Sequence, residues 1–189
     1  AEEAVAAAEA LGYPVVLKIE SPDILHKTEA KGVALNLKDA ASVKTAFSQL
    51  QANAKQYKAD ARIAGVLVQA MAQGDVELVI GLKRDATFGP VVMVGLGGVL
   101  IEVFKDVVFR AAPVTEGEAL RMLDELKSKV VLDGVRGKPP VDKAALAQMV
   151  SAVSRFGAAA GPRLAELDLN PVLAGPKGAT AVDWLMVLD

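Results

Sequence analysis

The 189-residue chain has no cysteine, one histidine and only 4% aromatic residues. No disulfide framework can form, no export to an oxidising compartment is indicated, and a zinc site has too few soft ligands to be built. No spacing suggests a Ser-His-Asp set. The longest uncharged apolar run, GPVVMVGLGGVLI, contains four glycines and falls short of the roughly 20 residues a membrane span needs, so it reads as buried strand and loop. Neither an arginine-rich start nor a secretory apolar segment opens the sequence, and a cytoplasmic protein is expected. With 21 basic and 23 acidic residues the formal charge is −2, and no basic stripe is interleaved with aromatics. That argues against nucleic acid and leaves a small molecule or another protein as the partner.

What remains is 52% apolar and 23% charged, enough for a globule with a core of Val, Leu, Ile, Met and Ala. The length suits one compact unit or two small subdomains sharing a cleft. The opening AEEAVAAAEAL reads as a helix stopped by Gly12, and YPVVLKI as a strand. A helix at residue 1 with no strand before it suggests a piece of a longer protein. VALNL is a strand, Asp39 caps a helix bearing Val43, Phe47, Leu50, Ala54 and Tyr57 at helical spacing, and IAGVLVQAM is a buried strand. Two strands then flank RDATFGP, and VVFRAAP is a third. Thr115 and Glu118 predict a capping box for a helix through Lys129, and Asp142 caps a long helix with Leu146, Met149, Val150, Val153 and Phe156 on one face. LAELDLN and TAVDWLMVLD form a closing hairpin through AGPKG. There is no internal repeat or low-complexity linker, so any division is a hinge near residue 70.

Within that hairpin, alternation puts Glu166, Asp168 and Asn170 on one face and Leu167 and Leu169 on the other. If GPKG is the turn, Ala174 pairs with Ala179 and Asn170 lies opposite Asp183, although Pro171 can induce a bulge. Cβ atoms about 5 Å apart suit a carboxylate and an amide oxygen holding one hard cation, such as Mg²⁺ with waters and phosphates completing its shell. An exposed polar edge fits the same pattern. Lys18, on the face opposite Val15, Leu17 and Ile19, either grips a phosphate or reaches solvent. GLGG, residues 95–98, either lets backbone approach a ligand or makes a tight bend, and it matches no dinucleotide or Walker fingerprint. His26, in SPDILHKTEAKGV with Lys27 and Lys31, is either a surface residue or a nucleophile toward phosphorus.

Taken together, GYPVVLKIESPDILHKTEAKGV, GVLVQAMAQGDVELVIGLKRDATFGPVVMVGLGGVLIEVFKDVVFR, GVRGKPP and ELDLNPVL…AVD resemble the ATP-grasp domain of ADP-forming acyl-CoA synthetases, relatives of succinyl-CoA synthetase, over nearly the whole chain. The resemblance implies an α/β (α+β) ATP-grasp fold. It has two α+β subdomains, 1–70 and 71–189, with a nucleotide cleft between them, and lacks the usual first strand and helix. It implies ATP/ADP and Mg²⁺ as cofactors, with Lys18 and Lys27 at phosphates, Gln69, Ala70 and Met71 bordering adenine, Glu77 helping to bind nucleotide, and Asn170 and Asp183 as Mg²⁺ ligands. Asp168 matches an acid that meets a phosphohistidine presented by another domain, and His26 a phosphoryl carrier of the ADP-forming acetate branch, where succinyl-CoA synthetases have a glycine-rich loop. The implied reaction is acyl-CoA + ADP + phosphate ⇌ carboxylic acid + CoA + ATP. Its partners are a CoA-binding, phosphohistidine-bearing domain or subunit that this chain lacks, with the carboxylic acid and CoA as substrates of the full enzyme, and this fragment alone is expected to be inactive. Gln69 replaces a glutamate of some relatives, and Trp184 stands where an arginine-containing version is expected. Two other readings are a non-catalytic regulatory domain of an acetyltransferase fusion, whose members often degrade LDLNP or the glycine loop, and an amide-forming ATP-grasp ligase in which His26 is dispensable.

Overall fold

Glycines and prolines punctuate the chain, and apolar alternation supplies its strands. In the computed structural model, which describes residues 1–98, 105–135 and 137–189, these signals resolve into two compact units, Ala1–Met71 and Ala72–Asp189. The VLIEVF part of the quoted motif and Arg136 of GVRGKPP lie outside the described residues.

The first unit is a three-stranded antiparallel sheet with two helices. Helix α1 (Glu2–Leu11) ends at Gly12, whose φ of 82° favours glycine. Strand β1 (Val15–Glu20) lies between β2 (Val33–Leu37) and β3 (Gly65–Ala70), and α2 (Ala40–Tyr57) joins the two outer strands. Val15 and Leu17 pack with Ala4, Val5 and Ala8 of α1 and Val43 and Leu50 of α2. Asp39 and Ser42 start α2 with reciprocal side-chain to backbone hydrogen bonds, satisfying two groups the helix end would otherwise orphan.

In the second unit the sheet order is β6-β5-β4-β7-β8, with β9 also on β7, and every pairing is antiparallel. The strands are β4 (Val76–Asp85), β5 (Gly89–Leu96), β6 (Val107–Ala111), β7 (Leu164–Gly175), β8 (Gly178–Ala181) and β9 (Trp184–Leu188). Leu78, Ile80 and Leu82 of β4 and Val92, Val94 and Leu96 of β5 bury their side chains with those of α3 (Glu116–Glu125) and α4 (Lys143–Ala160). Alternation therefore turns the odd-numbered residues of β4 and β5 to the opposite face. Where α4 meets β4, a methyl group on Gly157 would lie 2.0 Å from Leu82 Cδ1, so only a bare backbone permits that approach.

Two local expectations are corrected. Thr115 does accept from the Glu118 amide, but the Glu118 carboxylate binds Arg110 and Arg121 instead of closing a capping box. Two guanidinium partners outcompete one backbone N–H. The helix also stops at Glu125, before Lys129, because Leu126 is buried and Asp106 takes the next two amides, Lys127 N–H at 3.0 Å and Ser128 N–H at 2.8 Å.

Asp106 is only 5% exposed. Burial pushes its pKa up, but the amide hydrogen bonds outweigh burial and hold the carboxyl below its ordinary value. Its stabilisation is thus fully present above about pH 4 and is lost as pH falls through the lower folded value. Asp106→Asn should cost about 1–3 kcal/mol at neutral pH. Melting temperatures measured between about pH 2 and 6 should show the wild type falling more steeply and the two curves converging in acid.

Candidate functional site

In the first unit, the paired residues Lys18 and Leu67, and Val16 and Gln69, share the face of the sheet opposite α1 and α2. Lys18 is 6% exposed, which rules out the solvent-reaching reading. Lysine is rarely buried so deeply without compensation. The segment Gln69 to Met71 continues along β1, with the Met71 amide donating to Pro14 O at 3.3 Å.

The loop carrying His26 is pinned at both ends. Ile24 and Ala30 are buried with Ile19 and Ala54. The Arg62 guanidinium binds Asp23 through two nitrogens, holding that carboxyl well below the usual carboxylate range, and Asn53 Nδ2 donates to Lys31 O at 2.8 Å. Gly32 donates to Lys27 O at 2.7 Å, and a side chain at Gly32 would meet Ile19 Cγ2 at 2.6 Å. The loop is thus anchored, with an exposed tip comprising Leu25, His26, Thr28 and Glu29. Lys27 turns back, its ammonium 3.9 Å from Glu20.

In the second unit, strand register gathers the candidate residues on the face opposite α3 and α4. Phe109, Met93, Gly81, Asp168 and Leu185 form one cross-strand row through β6, β5, β4, β7 and β9. Glu77 lies on the same side of β4 as Gly81, two alternations away. The row floors a cavity of about 370 Å³ lined by Gly81, Met93, Phe109, Glu166, Leu167 and Asp168. Lys83 sits at its rim, 3.8 Å from Glu166.

The closing hairpin has the register counted from its turn: Ala174 pairs with Ala179 and Val172 with Ala181, and beyond them Leu169 pairs with Trp184. Asn170 N–H donates to Asp183 O at 3.1 Å, and Val182 N–H to Pro171 O at 3.0 Å. Asn170 and Asp183 therefore meet through their backbones where β8 gives way to β9. The expected bulge occurs on the other edge of β7, where register shifts between Leu78/Val172 and Ile80/Leu169. Unforeseen from sequence, TAVDWLMVLD divides into β8 and β9 at Val182 and Asp183. Asp183 Oδ1 caps the restart by accepting Trp184 N–H at 2.9 Å. Among the described residues no three His, Cys, Asp or Glu side chains gather to hold a metal. The ribbon does offer two hard oxygen donors, a set that suits Mg²⁺ when water and phosphate fill the remaining positions. Gly97 and Gly98, just past the end of β5, pack against Glu77 of β4, a pairing with no signal in the sequence because it joins residues distant in the chain.

The chain belongs to the ATP-grasp family, whose domain model matches residues 1–188. It is 44% identical over 187 residues to the ADP-forming acetate–CoA ligase I subunit beta of Pyrococcus furiosus, covering 99% of this chain and 80% of that subunit. It is 46% identical over 187 residues to the ADP-forming acetate–CoA ligase I of Archaeoglobus fulgidus, spanning 99% of this chain and only 27% of that longer relative. Acetyl-coenzyme A synthetase 1 of Ca. Korarchaeum cryptofilum, solved with coenzyme A, Ca-AMPCP and HgCl+, superposes with a TM-score of 0.96 at 45% identity, covering 100% of this chain and 82% of that one. The same synthetase with coenzyme A and Mg-AMPPCP, its phosphohistidine segment pointing towards the nucleotide binding site, gives 0.85 at 42% identity and covers 100% and 82%. Family, fold class and kinship with ADP-forming acyl-CoA synthetases are thus as the sequence motifs implied. No helix among the described residues is long and apolar enough to cross a membrane.

Proposed function

We propose that this chain is the nucleotide-binding part of an ADP-forming acyl-CoA synthetase and transfers phosphoryl between His26 and ADP. In the direction of ATP synthesis, the N–P bond of phosphorylated His26 breaks as an oxygen of the ADP β-phosphate forms the new O–P bond, and the imidazole is regenerated. Lys18 and Lys27 balance phosphate charge, Gln69 to Met71 border the adenine, and Glu77 contacts the nucleotide. Asn170 and Asp183 hold Mg²⁺, which supplies charge neutralisation on the phosphates when bound. Asp168 receives a phosphohistidine carried by a CoA-binding partner domain or subunit in the cytoplasm. The whole enzyme would interconvert acyl-CoA, ADP and phosphate with carboxylic acid, CoA and ATP.

The observation that carries this reading is the backbone bond that brings Asn170 beside Asp183 in the closing hairpin. The nucleotide and phosphohistidine complexes of the Ca. Korarchaeum cryptofilum synthetase support it by similarity. Titration of Mg·ADP into the complete synthetase tests it. Lys18→Met keeps much of the buried stem but removes the charge, and should weaken Mg·ADP by about 10-fold, the loss of one charged hydrogen bond. The melting temperature and far-ultraviolet circular dichroism of the variant, measured alongside, check that it remains folded. Absence of Mg·ADP binding by the wild type, or unchanged affinity in Lys18→Met, would overturn the assignment.

A further inference from the structure

The glycine run GLGG has two functions along its length. Gly95 belongs to β5, paired with Val79 and Val107, and a Cβ there would lie 2.7 Å from Val107 Cγ1 and 2.9 Å from Asp106 O. Leu96 is buried in the core. These two residues therefore serve packing. The next two face Glu77. Gly97 N–H donates to Glu77 O at 2.7 Å, and a Cβ on Gly97 would meet the Glu77 carbonyl carbon at 3.2 Å and its oxygen at 3.3 Å. Gly98 has a φ of +63°, and a Cβ there would stand 3.2 Å from Glu77 Oε2. Glu77 is also paired with Leu173 on its other edge, so its backbone is held from both sides.

We infer that Gly97 and Gly98 are positioning residues for Glu77: Gly97 fixes its backbone, and the bare Gly98 keeps open the space its carboxylate occupies, thereby tuning affinity for a nucleoside diphosphate. The inference rests on the reading of Glu77 as a nucleotide contact. The physical reason is asymmetry of response. Glu77 is exposed, and its carboxylate is the free end of a flexible side chain, so a methyl group on Gly98 is accommodated by moving the carboxylate. The backbone of the ladder stays in place. Altered ligand affinity, more than lost folding, is the expected signature.

A double-mutant cycle in the complete synthetase tests the clamp, with ADP and Mg²⁺ as the probe and both titration and steady-state kinetics as readouts. Glu77→Ala should weaken ADP about 10-fold, and Gly98→Ala about 5-fold, raising KM with kcat within about 2-fold. The double variant should bind no more weakly than Glu77→Ala, since the methyl group then has no carboxylate to displace. Should alanine at a positive φ prevent folding, Gly98→Asn completes the same cycle, because asparagine tolerates that region and crowds Glu77 further. If the effects of the Gly98 and Glu77 variants multiply, or Gly98→Ala binds ADP like the wild type while Glu77→Ala is impaired, the clamp is wrong and the nucleotide role of Glu77 stands. If Glu77→Ala itself binds ADP like the wild type, the nucleotide role fails and the clamp falls with it.

Discussion

His26→Ala should eliminate acid-labile phosphoryl label from the nucleotide-binding part of the synthetase and slow ATP formation by about 10³-fold or more, the scale of loss when a covalent carrier is removed. The effect should be chemical, because the side chain is exposed and the loop is held by other groups. Ile24 is 1% exposed and Ala30 3% exposed; Asp23 is tied to Arg62, and Asn53 to the Lys31 carbonyl. The His26 carbonyl accepts Ala30 N–H at 3.3 Å, a backbone bond that alanine retains. The melting temperature should therefore stay within about 2 °C, as for an ordinary surface substitution. Affinity for Mg·ADP should change less than about 2-fold, because the imidazole acts on the transferred phosphoryl and not on the resting nucleotide. Incubation with labelled ATP, followed by acid and alkali stability of the label, reads out the carrier directly. Label and turnover at wild-type levels in His26→Ala would eliminate the relay and favour direct use of an acyl phosphate.

If His26 carries phosphoryl, an anchored loop constrains how it does so. The buried Ile24 and Ala30 permit a short, exposed tip to present an imidazole, but do not support a freely disordered arm. Rigid flanks lower the entropic cost of aligning the nucleophile. If the tip must visit two stations, the motion has to break identifiable bonds, such as Gly32 N–H to Lys27 O or Arg62 to Asp23.

The parts legible in the sequence are those set by short-range geometry. A turn at GPKG determines the count along the hairpin, and that count brings Asn170 beside Asp183. Helix caps at Asp39, Thr115 and Asp142 follow from one side chain and the amide three residues on. What was not legible depends on partners distant in the chain. Glu118 was expected to close a box, but its choice of Arg110 is decided by β6 packing beside α3. Ser151 and Ser154 interrupt an apolar helix face, yet both are buried because Val114 supplies an acceptor for Ser151 and a donor for Ser154. Lys18 alternates away from the apolar face of β1, and sequence cannot say whether the other face is wet. The roles assigned to His26, Asp168 and Glu77 came from motif resemblance, since an exposed histidine and two acids carry no signature by themselves.

The ribbon makes its own quantitative demand. Asp183→Asn is the informative substitution because the amide oxygen can still accept Trp184 N–H, and the backbone bonds from Asn170 to Asp183 and from Val182 to Pro171 need no side chain. The carboxylate charge disappears. Losing a carboxylate from a two-donor cation site should raise the Mg²⁺ concentration needed for half-maximal nucleotide binding by about 100-fold, close to 3 kcal/mol. Asn170→Ala should raise it about 10-fold, because a neutral oxygen contributes less. Since both side chains would serve one cation, the double variant should fall short of the product of the two effects by about 0.5–3 kcal/mol. Magnesium titrations at fixed ADP provide all four corners of the cycle, with far-ultraviolet circular dichroism as the check that β7, β8 and β9 remain paired. Strict additivity would mean that the two residues act on separate partners, and an unchanged Mg²⁺ requirement in Asp183→Asn would show that the cation is held elsewhere.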